Sequence, residues 1–109
     1  MSYTSVLSVS GDPGLTVKYT FGDNTAKNVY EMGIDDLGNG QKPVAVFVTC
    51  ETQAARWGFG ASSPIAGSSG HVLASAGSVA IVGAAAVAKL KFCNSAAGSN
   101  AVLQITPFF

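Results

Sequence analysis

The chain has 109 residues, of which 48% are hydrophobic and only 11% charged, with six basic side chains against six acidic ones. That length supports one domain, residues 1–109, with a modest core, and the balanced charge offers no field to recruit nucleic acid or an anionic membrane. The charged share is under half of the roughly 25% usual in soluble domains. Much small-polar or apolar surface therefore remains, which an assembly would hide. Glycine is abundant, at 13 residues, but apolar runs and aromatic side chains recur along the chain, which argues against disorder. The N-terminal residues lack the charged start and apolar core of a signal peptide, so cytosolic synthesis is expected.

In chain order, residues 3–9 alternate weakly and read as a strand, closed by the turn signal Gly11-Asp12-Pro13-Gly14. The run 15–21 alternates without a fault: Leu15, Val17, Tyr19 and Phe21 are expected to face inward, and Thr16, Lys18 and Thr20 outward. Gly22-Asp23-Asn24-Thr25 reads as a turn. Residues 27–34 then suggest a strand with Tyr30, Met32 and Ile34 inward. Residues 35–40 form a polar loop in which Leu37 stands where a calcium loop needs a ligand. The run 43–50 is apolar on both faces, as in a central strand covered on both sides. No helix is evident nearby to supply the second cover, so Val44, Val46, Phe47 and Val48 become candidates for subunit contact.

Ala55, Trp57 and Phe59 alternate with Arg56 and Gly58, giving an aromatic strand with its rings directed into a core. The loop 61–70 is uncharged and small-sided, a composition that packs easily against a flat partner, which makes Pro64 and Ile65 further contact candidates. Residues 72–88 carry no charge, but glycines and serines interrupt them before the roughly 20 apolar residues that a membrane helix needs. Strands separated by turns at Gly77 and Gly83 are preferred there, over both a membrane helix and a short Ala-rich helix at 84–91. In the last run, Ala101, Leu103 and Ile105 share one face. Pro107 lacks an amide hydrogen, so pairing is expected to stop near Thr106. Phe108 and Phe109 would then extend past the sheet and dock in an apolar groove, on this domain or on a neighbouring subunit. Short apolar runs at spacings of roughly 8–12 residues point to an all-β, antiparallel β-sandwich, jelly-roll-like, of about 7–8 short strands.

Chemistry is sparse. The single histidine, His71, has no Gly-x-Ser-x-Gly elbow to serve, and Gly58-Phe59-Gly60 lacks the third glycine of a dinucleotide fingerprint. Cys50 and Cys93 fall on strand faces of different character and lack companions at metal-ligand spacing, so both are expected to be buried or half-buried free thiols. No enzyme activity, cofactor or metal is expected. Tyr30, Trp57 and Phe59 offer an alternative: aromatic faces that could stack on sugars in a carbohydrate- or receptor-binding module of a viral fibre or cell surface, although core filling accounts for them better.

The pattern Ala55-Arg56-Trp57-Gly58-Phe59-Gly60, Gly70-His71-Val72-Leu73, Gly77-Ser78-Val79-Ala80-Ile81, continuing through Val87-Ala88-Lys89-Leu90-Lys91-Phe92 and residues 97–107, resembles small β-sandwich structural proteins of tailed-phage virions. The resemblance covers about half of the chain and rests on strand-and-turn signals. It implies a capsid decoration or cement protein, made in the host cytoplasm and carried in the virion. The partners it implies are further copies of itself, with a trimer suiting a symmetric lattice, and a major capsid or other virion protein.

Overall fold

The computed structural model describes residues 12–34, 41–60 and 63–109; the strand expected at 3–9 and the loop expected at 35–40 lie outside them. Among the described residues eight strands and one short helix follow in the order β1 (Val17–Thr20), β2 (Lys27–Asn28), β3 (Ala45–Glu51), β4 (Ala55–Phe59), β5 (His71–Leu73), β6 (Ser78–Val82), α1 (Ala84–Lys89), β7 (Leu90–Asn94) and β8 (Val102–Phe108). They form two four-stranded sheets, β1-β8-β3-β6 and β2-β7-β4-β5, in which every pairing is antiparallel. The chain is thus an all-β antiparallel sandwich, as the spacing of its apolar runs predicts.

Alternation decides what lies between the sheets. Val46, Val48 and Cys50 of β3, Ile81 of β6, and Leu103 and Ile105 of β8 face Ala55 of β4, Leu73 of β5, and Leu90 and Phe92 of β7 across one buried core. The intervening residues of each strand point the other way, because successive side chains alternate across a sheet. Phe47 and Thr49, Ser78, Ala80 and Val82, and Gln104 and Thr106 therefore line the outer face of the first sheet.

Three departures from the sequence reading have local causes. The strand expected over 27–34 ends at Asn28. There the Asn28 amide donates to Glu31 Oε1 (2.9 Å) and the Glu31 amide donates to Asn28 Oδ1 (2.8 Å), a reciprocal cap that starts a helical turn. Val29, Met32 and Ile34 are buried from that turn rather than from a ladder. Residues 84–89 are helical, not extended. Alanine favours the helix, and α1 needs to bury only Val87, which enters the core. Alternation then resumes with Leu90 and Phe92 inward.

The third departure is at the C-terminal strand, where pairing continues past Pro107. Val46 lies opposite Pro107 and Ala45 opposite Phe108, and Asp12 and Phe109 exchange both backbone bonds, at 3.0 and 2.9 Å. The β1 register, Val17 opposite Ile105, would set Leu15 opposite Pro107, yet Gly14 donates to the Pro107 carbonyl at 2.8 Å. Gly14 and Leu15 thus both oppose Pro107, which is a β-bulge. The residue without an amide hydrogen sits where the ladder asks for no regular donor. Leu15, pushed out by the bulge, is 87% exposed instead of inward. Position 14 suits glycine because a Cβ there would stand 2.8 Å from the Phe109 ring.

Candidate interaction surface

The four sheet edges differ sharply. Among the described residues β1, β2, β5 and β6 each have one strand neighbour. β1 carries Lys18 at its centre, β2 is two residues long and carries Lys27, and β5 is three residues long. Short strands and lysines are what natural edges use to discourage pairing with other chains. β6, Ser78-Val79-Ala80-Ile81-Val82, has five residues, no charge and no proline. Its Ser78, Ala80 and Val82 are exposed, Val82 at 59%. Beside them on the outer face lie Phe47 and Thr49, both half-buried. The flank of the first sheet is therefore uncharged along its backbone edge and at the adjoining Phe47 and Thr49.

On the second sheet the outer face is covered by the chain itself. Arg56 donates from Nε to the Ser95 carbonyl (3.1 Å) and from Nη1 to the Gly70 carbonyl (3.2 Å). Gly67 also donates to the Ser95 carbonyl at 2.7 Å. These bonds fold the loop 63–70 back onto β4. Gly70, at φ +109, has no room for a Cβ, which would sit 2.6 Å from Pro64 Cβ. Cys93 lies next to Arg56 in the β4–β7 register and is fully buried, although it belongs to the outer face. Cys50, in contrast, lies in the core between the sheets and donates to the Gln53 carbonyl at 3.0 Å. Both thiols are free, and burial pushes both above the ordinary thiol value, with Arg56 partly countering it at Cys93.

Replacing Arg56 by methionine keeps the apolar stem but removes both bonds to the loop. Cys93 is then expected to react with an aromatic disulfide reagent about tenfold faster, the effect of ~1.4 kcal/mol of easier opening. Cys50 should react at an unchanged rate; equal acceleration at both thiols would mean general loosening instead. The raised thiols also set an alkaline limit. Each is held protonated in the folded state, so its stabilisation is complete below the unfolded value of 9.0 and is lost as pH rises through the folded value. Urea midpoints measured up to about pH 10.5 should fall less steeply for a Cys50→Ala, Cys93→Ala variant than for the parent.

Aromatic side chains gather at one end of the second sheet. Trp57 stacks at a tilt on His71 (centroids 4.6 Å apart) and meets Phe59 edge-on at 5.9 Å. Burial fades along β4, from Ala55 at 0% through a half-buried Trp57 to Phe59 at 44% exposure, so the rings expected to fill the core partly emerge from it. Tyr30 is not among them: it packs against the core under Lys42 Nζ, 5.0 Å from its ring centroid.

The contact candidates read from sequence separate accordingly. Val46 and Val48 are fully buried in the domain's own core, on the face of β3 that packs against the opposing sheet, and neither is open to another subunit. Val44 precedes β3, donating to the Phe108 carbonyl and accepting from Gly83, each at 2.7 Å. Pro64 is buried beneath its own loop, whereas Ile65 is 49% exposed. Phe108 is 7% exposed on β8, and Phe109 packs over Gly14, so the tail docks within the domain. Phe47 and Ile65 remain accessible. The β6 edge is absent from the candidates that sequence supplies, although an uncharged β-branched run bounded by two glycines is its available signal.

A two-sheet antiparallel sandwich with one uncharged edge that no other described strand covers, and one aromatic end, is what these residues build. Compared with family models, curated proteins and solved structures, the chain matches none. Among the described residues no three His, Cys, Asp or Glu side chains come together as a metal site, and no helix is long and apolar enough to cross a membrane.

Proposed function

We propose that this chain is a non-enzymatic structural protein of a virus particle, a decoration or cement subunit that stabilises a shell through repeated contacts. The observation that carries the reading is the strand order. The sheets β1-β8-β3-β6 and β2-β7-β4-β5 leave only β4–β5 joined within one sheet, an arrangement we read as an eight-stranded jelly roll. Double-sheet jelly rolls recur in viral capsid and lectin domains. The uncharged outer face around Phe47, with the exposed Ile65 of the loop folded over the second sheet, supplies contact surface whose individual weakness repetition would offset. Because one fold hosts many functions, the test is made on particles. Mass spectrometry of virions purified from the source encoding the chain should find it in many copies. Its absence from intact particles, with expression in the same cells, would refute the proposal.

A second reading is favoured by the exposed Phe59 and by the Trp57–His71 stack, which offer a sugar an apolar face. It makes the chain the carbohydrate- or receptor-binding module of a fibre or cell surface. Glycan-array binding that disappears in a Phe59→Ala variant would support it over the first reading.

A further inference from the structure

We infer that β6 is a self-pairing edge, through which two copies of this chain join across a two-fold axis at Ala80. The backbone defines which groups are free. Gly83 donates to the Val44 carbonyl and Cys50 to the Gly77 carbonyl, and Val46 pairs with Ile81 and Val48 with Val79 in the same register. Bonded pairs alternate along an antiparallel ladder, so residues 77, 79, 81 and 83 bond to β3. Ser78, Ala80 and Val82 turn their amides and carbonyls away from it. Those three are exposed, and no strand among the described residues lies beyond them.

A second copy fits this row better than any unlike partner, because the strand is complementary to itself. With Ala80 on the axis, Ser78 of one copy faces Val82 of the other and Ala80 faces Ala80. Each such pair exchanges two N–H···O=C bonds. On the opposite face Val79 meets Ile81, two β-branched residues suited to cross-strand contact. No charge occurs in β6, so the axis brings no like charges together, whereas self-pairing of β1 would bring Lys18 to the interface. The union makes one continuous sheet from two four-stranded ones and places both Phe47 side chains on the same outer surface. It is an isologous contact, which closes on itself as a dimer. The pairing does not depend on the virion reading.

Sedimentation equilibrium of the full chain at about 100 µM, chosen to exceed the micromolar Kd of a small interface, tests this. The parent should be a dimer. Ala80→Lys, which sets two lysines face to face, should weaken it at least about tenfold while leaving the far-UV dichroism and melting profile of the fold in place. Thr49→Lys, on the outer face but one strand inward, should remain dimeric. Should Ala80→Lys fail to fold, Val82→Lys serves the same purpose at an exposed site. Hydrogen exchange gives a direct reading: the amides of Ser78, Ala80 and Val82 should be protected in the dimer and released on dilution. A monomeric parent, a dimer that survives the edge lysine, or a dimer lost with Thr49→Lys would each overturn the inference. Absence of the chain from virions would leave it standing.

Discussion

Replacing Asn94 by leucine is expected to destabilise the fold by about 3–4 kcal/mol, a large part of what a domain this small possesses. Asn94, at the end of β7, is fully buried, the one buried polar residue among those described. Its Nδ2 donates to the Asp23 carbonyl (3.0 Å) and to Asn100 Oδ1 (2.9 Å), with a longer contact to Asn24 Oδ1 at 3.3 Å. An amide nitrogen has two hydrogens, so the longest of the three is a shared bond. Its Oδ1 accepts from the Ala101 amide at 2.9 Å. One side chain thus ties the 23–24 turn to the segment that leads into β8. Leucine has a similar volume and fills the space, but it leaves the Ala101 amide and the facing oxygens without their partner, and that penalty is the larger part of the effect. Urea unfolding at neutral pH measures it. A loss below about 1 kcal/mol would mean that water or loop movement replaces the clasp.

Deleting Phe108 and Phe109 should lower stability by about 3–5 kcal/mol even in an isolated monomer, the sum of one large apolar burial and several ladder bonds. Sequence reasoning places the two rings in an apolar groove, on this domain or on a neighbouring subunit, and expects their loss to weaken an assembly more than the isolated fold. In the structure Phe108 closes the β3–β8 ladder against Ala45, and its carbonyl accepts from Val44. Phe109 holds Asp12 by two backbone bonds. Calorimetry of the truncated chain checks the point at a concentration where the Ala80→Lys variant is monomeric. An unchanged melting temperature would return the tail to the interface.

The two-sheet architecture is legible in the sequence because short apolar runs recur at sandwich spacing and the runs around β1 and β4 alternate, a period of two being the mark of a strand with two unlike faces. Met32 and Ile34 mimic that period but belong to a turn. The signal that separates them, Asn28 three residues before Glu31, is a capping pattern rather than a hydropathy pattern. The fold-back of 63–70 has no readable signal, since it depends on Arg56 reaching carbonyls distant in sequence. Pro107 is legible as a ladder problem, but its solution is not. The chain keeps the strand and bulges its neighbour, which also expels Leu15.

The position of β8 carries a consequence for how the protein is made. β8 follows every other strand in the sequence, yet it sits between β1 and β3, with Val17 opposite Ile105 and Val48 opposite that same Ile105. Until it has left the ribosome, β1 lacks its one strand neighbour among the described residues and the first sheet has a gap at its centre. The second sheet is in the same position until β7 arrives between β2 and β4. Such pairing across most of the chain closes long loops before any contact rewards them, which makes folding slow. The nascent chain therefore carries β1 and β2 without their sheet neighbours until β8 and β7 emerge, while β4 can already pair with β5 and β3 with β6, and both sheets close late.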